Sequence, residues 1–371
     1  MEGLKISVLF YEIRSDGMSE HDYVVEQVSA ALTEGKHKVS LLSISDDLRE
    51  LITKLDEQKP DIVFNLCETF ASKDVYEMNI TAVLEMLGQR FTGTGPVGMA
   101  LRQDKAVTKK LLKFYDVQCP NYAIFDKNHL EFAGRMRFPL FIKPLKGDAS
   151  LCIDDFSLVT EYSKLMERVG QIQEELSSPA LVEEYIDGRE FYVCILGNDQ
   201  PEVLPLVEMD FSKLAKGYPR IYGWQAKFDA SSAQYDGTDA VVAKDLSPEI
   251  QSRITKAGKE AANAVQVNDY ARVDIRLSPD GIPYVVEVNA NPYLEQTSEF
   301  ATAALAAGIS YPTLINQIVE TAWKRWNEHS RPKMTPRQIR AAIRKRTSKN
   351  VPACKFEPEI IRAPETTKKE A

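Results

Sequence analysis

Apolar positions follow two rhythms along the first hundred residues. The short unbroken run KISVLF (5–10) reads as a buried strand, and EQVSAALTEG (26–35) spaces its apolar positions as a helix does, ending at Gly35. VSLLSI (39–44), DDLRELITKLDEQ (46–58) and DIVFNL (61–66) repeat strand, helix and strand, and another helix is expected over 77–87. Alternation with crossovers of this length predicts a small, mainly parallel α/β unit. It closes near RFTGTGPVG (90–98), where glycine and proline cluster.

The rhythm then changes. A helix over about 104–115 leads into expected strands at PNYAIF (120–125), FPLFIKP (138–144) and SLCIDD (150–155). A helix near 157–176 and a strand at ALVEEYI (180–186) follow. This is an α+β pattern with mostly antiparallel strands. A third stretch holds REFYVCIL, LPLVEMDF and IYGWQAKF, a helix over 248–265, a hairpin over 272–292 and helices near 298–307 and 312–327. The expected division is therefore an α/β unit at 1–100, α+β units at 101–187 and 188–330, and a tail at 331–371.

Composition narrows the class. Of 371 residues, 44% are hydrophobic and 27% charged, which describes a globular chain. No run approaches the ~18 apolar residues of a membrane span, and MEGLKISVLF lacks a secretory pattern. Cys67, Cys119, Cys152, Cys194 and Cys354 include no CxxC pair, which argues against a zinc site or a disulfide framework and fits a reducing cytoplasm. Residues 331–371 carry 12 Lys/Arg against 4 Asp/Glu, leaving 34 basic and 50 acidic residues in the rest. An acidic body does not suit nucleic acid, and the basic tail reads as a solvated extension.

The hairpin RVDIRLSPDGIPYVVEVNANP (272–292) raises the chemical question. Val273, Ile275 and Leu277 alternate with Arg272, Asp274 and Arg276; in the returning strand Tyr284, Val286 and Val288 alternate with Val285, Glu287 and Asn289. With an even loop Arg272 opposes Glu287, and Arg272, Asp274, Arg276, Glu287 and Asn289 share a face. Two carboxylates and an amide oxygen there form a hard-oxygen site of the kind Mg²⁺ takes beside substrate phosphates. A plain surface with an Arg272–Glu287 ion pair is the alternative. FPLFIKPLKGDAS sets Lys143 at a strand end before a small-residue loop, a phosphate-binding arrangement that is no Walker A motif. LVEEYIDGRE offers carboxylates and apolar groups suited to adenosine.

Taken in order, Lys105, Lys143, the 183–190 segment, Lys227, Arg272, Asp274, Glu287 and Asn289 resemble the ATP-grasp superfamily. Within it they resemble the D-alanine–D-alanine ligase group, most closely in FTGTGPVGMALRQDKAVTKKLL, FPLFIKPLKGDAS, LVEEYIDGREFYVCILGN and ARVDIRLSPDGIPYVVEVNANP. The resemblance implies an ATP-grasp fold behind an N-terminal Rossmann-like (pre-ATP-grasp) domain. It implies an ATP-dependent carboxylate–amine ligase acting through an acyl-phosphate on small amino-acid substrates. ATP would be held by Lys105, Lys143, Glu183, the 184–186 backbone (Glu184, Tyr185, Ile186) and Glu190. Two Mg²⁺ (or Mn²⁺) ions would be held by Asp274, Glu287 and Asn289. Arg272 matches the oxyanion arginine, Lys227 a lysine on a closing loop, Ser150 a residue holding that loop, and Ser298 one holding the second substrate's carboxylate. The resemblance further implies a homodimer through the N-terminal domain.

Departures fall at the amino-acid pockets. LFYEIRSDGMSEH lacks the family's Gly-Gly turn, with Glu20 standing where a glutamate holds the first substrate's amine. Phe228 replaces a tyrosine, as in relatives that join a hydroxy acid, and Tyr293 replaces a glycine beside the acceptor amine. Ligation of another amino-acid or hydroxy-acid pair is thus an alternative, as is an ATP-grasp kinase. A binder without turnover has no need of Arg272, and no nucleophile elbow suggests a hydrolase.

Overall fold

The computed structural model describes residues 2–15, 18–127, 129–147 and 152–328, with the backbone alone for 14, 15, 18–20 and 133. Residues 2–327 belong to one compact unit. Strand β1 (Lys5–Tyr11) is followed by the small hairpin β2 (Ile13–Ser15) and β3 (Met18–Glu20), helix α1 (Val24–Glu34), β4 (Lys38–Ile44), α2 (Leu48–Gln58), β5 (Ile62–Asn65) and α3 (Glu77–Met86). β1 lies between β4 and β5, parallel to both. The apolar runs fill this sheet because both of its faces are covered, so Ile6, Val8, Leu9, Ile62, Val63 and Phe64 are all buried.

Next come α4 (Pro96–Gln103), α5 (Lys105–Phe114), β6 (Tyr122–Phe125), β7 (Leu130–Ala133), β8 (Leu140–Pro144), β9 (Leu158–Val159), α6 (Tyr162–Leu176) and β10 (Ala180–Glu184). Their five strands pair antiparallel in the order β7-β6-β10-β8-β9. Of the strand expected at 150–155, residues 150 and 151 lie outside the described residues and 152–154 are not strand; a 3-10 turn at Asp155–Ser157 precedes the two-residue β9. Arg168 fixes that irregular segment by donating to the Cys152 carbonyl at 2.8 Å and to Asp154 at 2.9 Å. Helix α6 consequently starts at Tyr162, five residues later than its pattern suggests.

The remainder is β11 (Arg189–Leu196), β12 (Glu202–Val203), β13 (Val207–Asp210), α7 (Trp224–Phe228), α8 (Ala233–Asp236), β14 (Asp239–Val242), α9 (Pro248–Ala264), β15 (Tyr270–Leu277), β16 (Pro283–Asn289), α10 (Glu299–Ala306) and α11 (Tyr311–Glu328). The sheet order is β14-β13-β11-β15-β16, with β12 against β11. IYGWQAKF ends in the short helix α7, whose five residues are too few to show helical periodicity.

The hairpin register differs from the expected one. Ser278 N donates to the Ile282 carbonyl at 3.0 Å, leaving the three-residue loop Pro279–Asp280–Gly281 with Gly281 at φ +76°. An odd loop alone would turn Glu287 and Asn289 away from Asp274. A bulge corrects this: the ladder pairs Ile275 with Val285 but Asp274 with Glu287, so Val286 has no opposite number. Arg272 therefore faces Asn289 rather than Glu287.

One buried charge ties distant segments together. Asp269, 0% exposed, accepts from Gly93 N at 2.8 Å, from Asn198 Nδ2 at 3.0 Å, and from Arg325 at 2.9 and 2.8 Å. Arg325→Ala strands that carboxylate and is expected to cost about 3–5 kcal/mol of stability. Urea unfolding checks it, and a loss below about 1 kcal/mol would show that Asp269 is satisfied without Arg325.

Candidate functional site

A cleft opens between the sheet that carries β8 and β10 and the sheet that carries β11, β15 and β16. Lys143, Glu183, Glu184, Tyr185 and Ile186 line one side of it, and Glu190, Lys227, Asp274, Arg276 and Glu287 the other. These charged groups arrive from five elements, β8, β10, β11, α7 and the β15–β16 hairpin counted as one, so the site exists only in the folded chain.

Lys105 begins α5, where Asp104 caps the helix by accepting from Ala106 N and Val107 N at 3.1 Å. Its Nζ donates to the Gly147 carbonyl at 2.5 Å and lies 3.4 Å from Glu287. One turn further along, buried Lys109 sits 2.6 Å from Glu183, whose second oxygen is 3.2 Å from Lys143. Burial alone would neutralise the Glu183 carboxyl, but Lys109 and Lys143 hold it below its usual range. The Glu184 side chain points elsewhere, accepting from Asn121 Nδ2 at 3.0 Å and Arg137 N at 2.8 Å.

Across the cleft, Arg272 makes a two-pronged contact with Asp274 at 2.8 and 3.0 Å and reaches Glu299 at 3.0 Å. Asn289 Nδ2 donates to Asp274 at 3.1 Å. Burial raises Asp274 to about 6, against the opposing pull of Arg272. Burial also acts to raise Glu287, yet Lys105, Lys143, Lys227 and Arg272 together hold it at about 2. Lys227 on α7 packs over the Tyr222 ring at 5.0 Å; burial, then Arg272, lowers its pKa.

Among the described residues no three His, Cys, Asp or Glu side chains gather as a self-sufficient metal cage. Asp274 and Glu287, cross-strand partners flanked by the Asn289 amide, instead supply the few hard oxygens that Mg²⁺ takes when phosphates complete its shell. Burial presses the Asp274 carboxyl towards its neutral form, a penalty that a divalent cation would offset. The donor set fits Mg²⁺ with a nucleotide.

Not every expected residue gathers here. Phe228, 56% exposed, rests against Trp224 at 6.2 Å. Tyr293 donates to both oxygens of Asp22, at 2.8 and 2.9 Å, which anchors the loop after β16 to the start of α1. Ser298 caps α10, accepting from Ala301 N at 3.4 Å. Ser150 lies outside the described residues, as does the Glu20 side chain. Sequence reasoning missed Lys109, Glu299 and the part played by Arg276. Lys109 stands four residues after Lys105, a spacing that places both on one helix face; Glu299 gave no such signal.

Comparison with known proteins shows the family. The family model described as D-ala D-ala ligase C-terminus matches residues 111–320. The chain belongs to this family. An uncharacterized protein of Sinorhizobium fredii is 35% identical over 315 residues, covering 82% of this chain and 88% of that one. D-alanine–D-alanine ligase A of Bacillus cereus is 29% identical, covering 81% and 93%. The crystal structure of the Bacillus anthracis D-alanine–D-alanine ligase complexed with ATP superposes with a TM-score of 0.69 at 25% identity, covering 89% of this chain and 100% of that one. The fold is thus the ATP-grasp fold expected of a D-alanine–D-alanine ligase family member, with α/β and α+β parts.

The Glu287 environment makes a pH prediction. Its carboxyl ionises at about 2 in the fold against an ordinary 4.5, so its stabilisation is complete above pH 4.5 and is lost as pH falls towards 2. The shift corresponds to on the order of 3 kcal/mol. Urea unfolding of Glu287→Gln at a series of pH values should show a shallower acid loss than wild type; identical slopes would place the acid-sensitive group elsewhere.

Proposed function

We propose that the chain is an ATP-dependent carboxylate–amine ligase that joins two small amino-acid substrates through an acyl-phosphate. The observation that carries this reading is the shared face of β15 and β16, where Arg272, Asp274, Glu287 and Asn289 confront Lys105, Lys143 and Lys227. A binding site for ATP alone would not need a buried arginine beside the carboxylates.

In this reading one substrate carboxylate attacks the γ-phosphorus and ADP departs. The amine of the second substrate then adds to the activated carbonyl, and phosphate leaves. Lys105, Lys143 and Lys227 neutralise charge on the phosphates, and Arg272 faces the oxyanion of the tetrahedral intermediate. Mg²⁺ held by Asp274, Glu287 and Asn289 supplies further charge neutralisation when bound. Water has to be kept from the acyl-phosphate. The segment carrying Lys227 is suited to that, since Trp224 N donates to the Ile153 carbonyl at 2.8 Å and Gln234 Nε2 to Asp155 at 2.9 Å, joining it to the segment after β8. Glu183, Glu190 and the backbone around Tyr185 and Ile186 serve the adenosine end.

The segments 1–100, 101–187 and 188–330 correspond in this reading to a pre-ATP-grasp domain and the two halves that enclose ATP. Among the described residues no helix is long and apolar enough to cross a membrane, and Cys67, Cys119, Cys152 and Cys194 are free thiols. We place the reaction in the cytoplasm, and a homodimer belongs to the same proposal. D-alanine is the first substrate to test. Tyr293, Phe228 and the 11–23 segment leave room for another amino-acid or hydroxy-acid pair.

Two measurements test the reading. Mg²⁺-dependent phosphate release from ATP should require amino acids, offered as D- and L-forms alone and in pairs, and mass spectrometry should show a condensed product. A stable phosphorylated product from one substrate would mean a kinase instead. Glu287→Ala should lower turnover by about 10³-fold, the scale of losing an electrostatic stabiliser of phosphoryl transfer, while the protein stays folded. Wild-type rates in that variant would sink the metal assignment.

A further inference from the structure

Arg276 is tied to more segments of the cleft than any role given so far requires. It stands on β15 directly across from Glu190 on β11 and is 6% exposed. One guanidinium nitrogen donates to Glu190 Oε2 at 2.8 Å and to the Arg220 carbonyl at 3.0 Å. The other donates to the Tyr185 hydroxyl at 3.0 Å and to the Gly188 carbonyl at 3.2 Å. The plane lies 4.8 Å from the Tyr185 ring. Glu190 Oε1 meanwhile accepts from the Tyr192 hydroxyl at 3.1 Å.

Each carboxylate oxygen of Glu190 thus has a protein donor. A carboxylate offers about four acceptor positions, two on each oxygen. One position per oxygen therefore remains for a ligand, and Glu190 lines the nucleotide cleft with its side chain 14% exposed. Two fixed acceptors, one on each oxygen of a planar group, suit two neighbouring hydroxyls of a sugar. A carboxylate without these donors could rotate and accept from one hydroxyl as well as from two.

We propose that Arg276 and Tyr192 are positioning residues that fix Glu190 as a two-oxygen acceptor for a vicinal diol, making the site selective for a ribonucleotide over its 2′-deoxy form. This rests on the ATP reading above, in which Glu190 serves the adenosine end, and adds to it the two residues that aim that carboxylate. The selectivity arises because a 2′-deoxy sugar leaves one desolvated Glu190 acceptor without a donor.

Calorimetric binding of ATP and of 2′-deoxy-ATP, each with Mg²⁺, tests it on the full chain. Wild type should bind ATP about tenfold or more tightly than 2′-deoxy-ATP, the weight of one hydrogen bond to a charged group. Arg276→Met and Tyr192→Phe should weaken ATP more than 2′-deoxy-ATP, so that the ratio falls several-fold towards one. Arg276→Lys, which keeps a donor, should retain part of it. Tyr192→Phe removes only a hydroxyl, so it decides the matter if Arg276→Met does not fold. Equal binding of the two nucleotides by wild type overturns the proposal, as does an unchanged ratio in folded variants. Absence of ATP binding to wild type overturns the ATP reading itself.

Discussion

A hairpin can present polar groups from both strands to one side only if its loop and its ladder agree in parity. Here they do so through two irregularities that cancel. The three-residue loop after Ser278 shifts the pairing by one, and the unpaired Val286 shifts it by one more, which restores the parity before Glu287 is reached. Without the bulge, Glu287 and Asn289 would face the apolar layer packed by α9, where Val273, Ile275, Val285 and Val288 are buried. The bulge thus keeps core and chemistry on opposite sides of one strand pair. Everything proposed for the site depends on that placement.

The second constraint is charge. A cleft built for a triphosphate has to hold cations in a buried place before the phosphates arrive, and isolated buried cations are costly. Glu183 is shared by Lys109 and Lys143, Glu287 faces Lys105, and Arg272 is divided between Asp274 and Glu299. Such pairs keep the lysines aimed without binding them irreversibly, because a phosphate oxygen can replace a carboxylate at similar distance. Lys109 matters in this balance. With Lys109 on one oxygen of Glu183, Lys143 is not the only counter-charge for that carboxylate and can turn to a phosphate without leaving it unpaired.

Much of this was legible in the chain, and the exceptions have physical causes. Elements with a long apolar period, such as β1, α2, α9 and the β15–β16 hairpin, lie within a few residues of where the pattern predicts them. The strand expected across 152–155 is absent because Arg168, which lies further along the chain and is invisible to local periodicity, holds Cys152 and Asp154. The two-residue β9 and the edge strands β7 and β14 carry too few buried positions to leave a signal. The cleft gathers most of the residues that stand in motifs, whereas Glu299 and Lys109 join them through contacts that only the tertiary structure creates. Register was the subtlest failure. The convergence of Asp274, Glu287 and Asn289 was expected, but from an even loop, and it arises instead from an odd loop and a compensating bulge.

One departure from the family pattern, Tyr293, meets the chain just past another, the 9–21 segment. Tyr293 hydrogen-bonds Asp22, and next to it Glu295 accepts from Gln27 Nε2 at 3.3 Å while Gln27 Oε1 accepts from Gln296 N at 2.8 Å. The loop that links the proposed metal strand to α10 is therefore fastened to the N-terminal part of the chain at two points. That loop runs from Asn289 to Ser298, joining proposed phosphate chemistry to proposed substrate binding. Fastening it outside the nucleotide cleft lets the substrate end change while Asp274, Glu287 and the lysines keep their places. Tyr293 fills space that a glycine would leave open, and its hydroxyl is already committed to Asp22. In the proposed ligase reading, any contribution of Tyr293 to a substrate pocket is one of shape more than of hydrogen bonding, which favours discrimination by size at the acceptor end.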